Sequence, residues 1–166
     1  MTSNAPAEAQ LERLSRFLEH NPAPLSLLAD TASAAYEAGI LDQAASLLER
    51  HAAIAPLSPR LINLQGLIAI RQNRCADALA IFARLRAGGE DDPVLRFNLA
   101  WCHALLGDYR EALDLLNDDT LSASPRAPSL RIEMLHHLQL YDQALDKGAG
   151  LAKRFPGDQA LMGALA

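Results

Sequence analysis

Apolar positions along this chain fall at helical spacing almost from end to end, and the pattern repeats. Leu11, Leu14 and Leu18 lie at i, i+3 and i+7. That spacing draws one apolar stripe along a predicted helix from about Ala7 to His20, stopped by Asn21-Pro22. Further on, alanines recur in a fixed frame: Ala44, Ala78 and Ala112 stand 34 residues apart, and Ala144 follows 32 residues later. The frames are Gly39-Ile-Leu-Asp-Gln-Ala44, Asn73-Arg-Cys-Ala-Asp-Ala78, Gly107-Asp-Tyr-Arg-Glu-Ala112 and Gln139-Leu-Tyr-Asp-Gln-Ala144. A period of this length predicts stacked supersecondary units rather than a single layered core.

The unit boundaries follow from the breakers. Residues 1–24 read as a tail and a capping helix. Pro56 lies 34 residues after Pro22, so the opening helix resembles the second helix of an incomplete repeat. Repeat one, 25–58, predicts a helix over Leu25–Ala38, a left-handed cap at Gly39 and a second helix from about Leu41 to Ile54. Repeat two, 59–92, opens on Pro59 at a first-turn position, turns at Asn73 and ends at Ala87-Gly88-Gly89. Repeat three, 93–124, turns at Gly107-Asp108 and ends in Asn117-Asp-Asp-Thr120. Repeat four, 125–156, turns at Leu138-Gln-Leu140 and ends at Phe155-Pro156-Gly157. Residues 157–166 start a further or capping helix, with Asp158 as N-cap. Its Ala160, Leu161, Met162, Ala164 and Leu165 lack the polar outer face of a terminal cap, so the expectation is a chain cut inside a longer array.

The recurring alanine has a packing reason. Two antiparallel helices joined by a tight turn come close only where a small side chain stands. A leucine there overpacks the crossing, typically at about 1–3 kcal/mol. Large residues bracket the alanine on the same helix face: Leu41, Cys75, Tyr109 or Tyr141 three positions before, and Leu48, Phe82 or Leu116 four after. In the fourth repeat Gly148 takes that last place, which predicts its second helix to be the loosest.

Composition narrows the class. Half of the 166 residues are hydrophobic and only 5% aromatic, so Ala and Leu build the core, as close-packed helices prefer. A net charge of −5 argues against a nucleic-acid partner, which calls for a basic face. Cys75 and Cys102 have no metal-like or CxxC spacing and read as partly buried thiols in a reducing compartment. MTSNAPAEAQ at the start has neither a basic nor an apolar leader region, and no apolar run approaches a membrane span. The expected compartment is the bacterial cytoplasm, or the periplasm if an upstream signal was removed.

Taken in phase, the four copies resemble the tetratricopeptide repeat (TPR) family over residues 25–156. Phe97-Asn-Leu-Ala-Trp-Cys-His-Ala-Leu-Leu-Gly-Asp-Tyr-Arg-Glu-Ala-Leu113 carries the likeness best. It has the family's small residue in the first helix (Ala100; Gly66 in repeat two), the turn glycine Gly107, the aromatic Tyr109 and the invariant small Ala112. Pro56 and Pro156 match the closing proline. The consensus tryptophan is absent: Leu28, Ile62, Arg96 and Pro128 stand in its place. The resemblance implies an all-α fold, a right-handed superhelical α-solenoid of about four helix-turn-helix repeats with an N-terminal capping helix. It also implies that the first helices line a concave groove for a peptide or helix.

Carried over position by position, that groove would present Ser26, Ala29, Ser33 and Tyr36 from repeat one, and Arg60, Asn63, Leu67, Ile70 and Arg71 from repeat two. Repeat three gives Phe97, Asn98, Trp101 and Leu105; repeat four gives Arg126, Ser129, Glu133, His136 and His137. Trp101, the single tryptophan, is the expected anchor, since aromatic side chains dominate binding hot spots. The other reading of Trp101 is ordinary packing against a neighbouring first helix. Arg60, Asn63, Asn98 and Arg126 supply part of a carboxylate clamp, whose lysine and first asparagine are replaced by Ala29 and Ser33.

Catalytic chemistry has little to stand on. Glu133 and His137 share a helix face, with His103 one helix away, but zinc needs three or four converging ligands. No nucleophile–base set, phosphate loop or HExxH motif occurs. Glu90-Asp91-Asp92 reads as a solvated turn that helps to N-cap the next helix. The expectation is a non-enzymatic scaffold for a protein or peptide, without cofactor or metal, whose exposed terminal helices offer a homodimer surface. The alternatives are a small chaperone of a secreted partner, similar to those of type III secretion, and the regulatory arm of a larger enzyme.

Overall fold

The recurrent frame becomes backbone geometry at four joints. Gly39, Asn73, Gly107 and Gln139 all adopt the left-handed conformation, with φ of 82°, 61°, 88° and 59°. At each joint two backbone bonds close the preceding helix. Gly39 N–H donates to Tyr36 O and Ile40 N–H to Ala35 O, at 3.1 and 2.9 Å. The equivalent pairs are Asn73 to Ile70 and Arg74 to Ala69 (2.9 and 2.8 Å), Gly107 to Ala104 and Asp108 to His103 (3.2 and 2.9 Å), and Gln139 to His136 and Leu140 to Leu135 (2.9 and 2.9 Å). This is the Schellman closure, which satisfies carbonyls that a helix end would otherwise orphan. The recurring alanine then makes the first bond of the next helix. Ala44, Ala78, Ala112 and Ala144 donate to the carbonyls of Ile40, Arg74, Asp108 and Leu140.

The computed structural model describes residues 5–20 and 24–165, so the expected stop at Asn21-Pro22 lies outside the described residues, as do Met1–Asn4 and Ala166. Every regular element among the described residues is helical: α1 (Ala5–His20), α2 (Leu25–Ala38), α3 (Leu41–Ile54), α4 (Pro59–Arg71), α5 (Cys75–Ala87), α6 (Pro93–Leu106), α7 (Tyr109–Leu115), α8 (Ala127–His137), α9 (Tyr141–Arg154) and α10 (Gln159–Ala164). One 3-10 turn, Thr120–Ser122, lies between α7 and α8. None of these helices is long and apolar enough to cross a membrane. The chain forms two compact units, Met1–Ile81 and Phe82–Ala166, divided inside α5.

In the first unit α2 packs between α1 and α3, and α4 packs on α3. Leu11 and Leu18 of α1 enter a core built from Leu28, Ala32, Ala35, Ala44, Leu48, Leu61 and Ile68. The stripe read from the sequence is therefore the buried face of α1, while Phe17 between its members is exposed. Leu28, at the consensus tryptophan position, is fully buried. A leucine so placed contributes about 1.5–3 kcal/mol of hydrophobic stabilisation.

The second unit stacks α6 on α7 and α8 on both α7 and α9, with α10 against α8 and α9. Asp92 caps α6 through Oδ1, which accepts from Val94 N and Leu95 N at 2.8 and 2.9 Å. Asp158 caps α10 by accepting from Leu161 N at 3.0 Å. Arg96, at the consensus tryptophan position of α6, is only half-buried and its guanidinium lies 3.9 Å from Asp91. α7 ends early. Asn117 Oδ1 accepts from Thr120 N and Oγ1 at 3.1 and 3.0 Å, and the 3-10 turn that follows delivers Leu121 into the core.

The alanine reading holds in burial: Ala44, Ala78 and Ala112 are 0% exposed and Ala144 is 1%. Leu48, Phe82 and Leu116 are equally buried. Tyr141 departs from the bracket and is mostly exposed. The gap expected at Gly148 is filled from another segment. Gly148 is buried, and a Cβ built there would meet Leu165 Cδ2 at 2.1 Å. Leu165, just beyond α10, occupies the space that a side chain fills in the other repeats.

Candidate partner-binding surface

The residues expected to bind divide between the two units. In the second, helical spacing places Phe97, Trp101 and Leu105 at i, i+4 and i+8 along α6. The structure grades them. Phe97 is buried in the core at 5% exposure, Trp101 is half-buried against that core, and Leu105 is half exposed. The Phe97 and Trp101 rings are tilted at 40° with centroids 6.0 Å apart. Phe97 therefore braces Trp101 from beneath. Asn98, at 3% exposure, is buried as well. The expectation that Phe97 and Asn98 present their side chains to a partner is corrected, because α6 turns both inward.

Arg126 completes the group. It is the residue before α8, its N–H donates to Ser124 Oγ at 3.2 Å, and its guanidinium lies 5.2 Å from the centre of the Trp101 ring. A cation over an indole face at this distance is attractive and holds both side chains in place. Trp101 is thus half-buried against the core and carries a cation over its ring.

The first unit holds a parallel pair. Arg71 Nη1 donates to the Tyr36 carbonyl at 2.7 Å, and the guanidinium lies 4.9 Å from the centre of the Tyr36 ring. Arg60 is exposed on the first turn of α4, Asn63 and Leu67 are half-buried, and Ile70 is buried at 8% exposure. Ile70 therefore offers little surface, against the sequence expectation. Ser33 turns its hydroxyl to Ala29 O at 3.0 Å, which leaves the clamp position without a free donor.

Two fourth-repeat residues named from the sequence, Ser129 and His137, are engaged by other residues of the fold, whereas Glu133 is half-buried and His136 exposed. Ser129 is buried and donates to Arg126 O at 3.0 Å. His137 stacks on Tyr109 with centroids 4.2 Å apart and planes 9° from parallel. His103 Nδ1 lies 3.3 Å from Asp108 Oδ2. Among the described residues no three His, Cys, Asp or Glu side chains gather as a metal site. The arginine–aromatic pairs were invisible in the sequence, since each joins residues of different helices with no fixed spacing.

Residues 63–129 match the family model described as tetratricopeptide repeat. No curated protein matches the chain in sequence. Among solved structures, the chain is similar to YrrB, described as a TPR protein with an unusual peptide-binding site: 16% identity over 98% of this chain and 85% of that one, at a TM-score of 0.75. It is similar to PilF of Pseudomonas aeruginosa at 18% identity, covering 91% of this chain and 70% of that one, with a TM-score of 0.70. It is also similar to MamA at 14% identity, covering 90% and 82%, with a TM-score of 0.72. At such identities the likeness establishes the fold. The matched repeats over residues 63–129 and the four equivalent joints give this chain the α-solenoid fold of tetratricopeptide-repeat proteins.

Proposed function

We propose that the protein is a non-enzymatic scaffold that holds a peptide or helix on its first-helix surface, with Trp101 as the anchor. The observation that carries this reading is the cation-braced, half-buried Trp101 beside the half-exposed Leu105. Rigid aromatic side chains lose little entropy on binding and dominate hot spots. Arg126 adds a guanidinium suited to a carboxylate. The chemistry selected is an apolar side chain followed by an acidic group. In the first unit, Arg71 on Tyr36, with Arg60 and Leu67, forms a second contact set of the same kind. YrrB, of like fold, is described as having a peptide-binding site, which supports the class of ligand by analogy.

Trp101 is the sole tryptophan, so its fluorescence reports on the site directly. Peptides selected on the folded chain from a displayed library should shift that emission. Trp101→Ala should weaken them by about thirtyfold or more, the loss of a hot-spot side chain. Arg126→Ala should weaken acidic binders more than neutral ones. Binders indifferent to both changes would exclude this surface.

A further inference from the structure

A second site lies where the segment before α8 meets the segment after α9. Leu121, Ser122, Pro125, Phe155, Pro156 and Asp158 line an open cleft of about 550 Å³ there. The volume falls in the range of small-ligand sites and accommodates a few side chains. Leu121 is buried at its base and Phe155 is half-buried in its wall. Pro125 and Pro156 carry no N–H, so these walls cannot extend a partner strand by main-chain pairing. Recognition has to come through side chains.

The charge at its mouth selects the ligand. Arg154, exposed in the last turn of α9, donates from Nη2 to Ser122 Oγ at 3.1 Å, and its guanidinium lies 5.3 Å from the centre of the Phe155 ring. It pairs with no carboxylate among the described residues. Arg131, by contrast, is held by Asp118 at 3.0 Å. Asp158, the acidic residue of the lining, directs Oδ1 to Leu161 N as the cap of α10 and keeps its carboxylate charge on that side of the cleft. The cleft therefore presents an apolar floor, the capping carboxylate of Asp158 and, at the edge formed by Ser122 and Phe155, one braced cation that pairs with no carboxylate among the described residues. We infer that it binds a peptide segment in which an apolar residue stands beside an internal Asp or Glu: the apolar side chain enters over Leu121 and Phe155, and the carboxylate meets Arg154. This site borders the Trp101 surface through Ser124, whose Oγ accepts from Arg126 N–H, and shares no anchoring side chain with it.

The test uses the full chain and fluorescent pools of amidated hexapeptides with a central Leu-Glu or Phe-Glu, against matched pools with Gln or Lys in place of Glu. The Glu pools should bind about tenfold more tightly than the Gln pools, as for a charge-assisted hydrogen bond. Arg154→Glu, at an exposed position, should abolish that preference and favour the Lys pools, while Trp101→Ala leaves it intact. If no pool binds, or if Arg154→Glu changes nothing, the inference is overturned. Loss of binding in Trp101→Ala with Arg154→Glu unaffected would place the peptide on the first-helix surface instead. Stronger binding of unamidated pools ending in Leu or Phe would replace the internal acid with a chain terminus and overturn the ligand named.

Discussion

The α2–α3 hairpin and the α8–α9 hairpin solve the same problem with different residues. The first turns on Gly39 and the second on Gln139, yet both residues are left-handed and both joints close with the same two backbone bonds. Four positions past the alanine, the first hairpin buries Leu48, whereas the second has Gly148 with Leu165 laid over it. Glutamine in the left-handed region costs roughly 1–2 kcal/mol that glycine does not. The second hairpin accepts that cost because the joint geometry is imposed by the pairing of its helices. The alanine is different: it is alanine in both hairpins and fully buried in both. Backbone conformation can be forced on an unfavourable residue, but a crossing point cannot hold two volumes at once.

This contrast can be broken most strongly at the alanines. Ala44→Leu and Ala144→Leu should each destabilise by about 3 kcal/mol, the upper part of the overpacking range, because neither site has spare volume. Urea unfolding followed by circular dichroism measures it. A cost below about 1 kcal/mol at both sites would remove the argument for a tight crossing.

Leu165→Ala comes next. It strips the side chain that covers Gly148 and should cost about 2 kcal/mol, the low end for a core leucine, since Leu165 is only half-buried. The double variant Gly148→Leu with Leu165→Ala should recover part of that loss if the two residues fill one space. Additive losses in the cycle would show that they do not. Trp101→Ala is smaller still, at about 1 kcal/mol, because the side chain is only half-buried against the core. A large drop in thermal midpoint for this variant would make Trp101 a core residue and weaken the proposed surface.

Sequence pattern revealed the fold more fully than the site, for a physical reason. A joint and the alanine after it are local, so the spacing from Gly39 to Ala44 repeats visibly at Gln139 to Ala144. Even the unfavourable left-handed residues Asn73 and Gln139 were marked by their place in the frame. The site depends on which side chains meet across helices. Spacing put Phe97, Trp101 and Leu105 on one stripe, but not the gradient from buried to exposed along it. Leu165 over Gly148, and Arg154 between Ser122 and Phe155, join segments whose separation has no period. The early end of α7 was legible only as the polar run from Asn117; that Leu121 then re-enters the core was not.

An exchange of the two joint residues reaches the shared geometry most directly. Gly39→Gln and Gln139→Gly, each measured by urea unfolding against the unaltered chain, should move stability in opposite directions. A loss of about 1–2 kcal/mol is expected for the first and a gain of up to about 1 kcal/mol for the second, after glycine's entropic cost in the unfolded chain. Two changes of the same sign, or no change at Gly39, would mean that these positions are not equivalent left-handed joints.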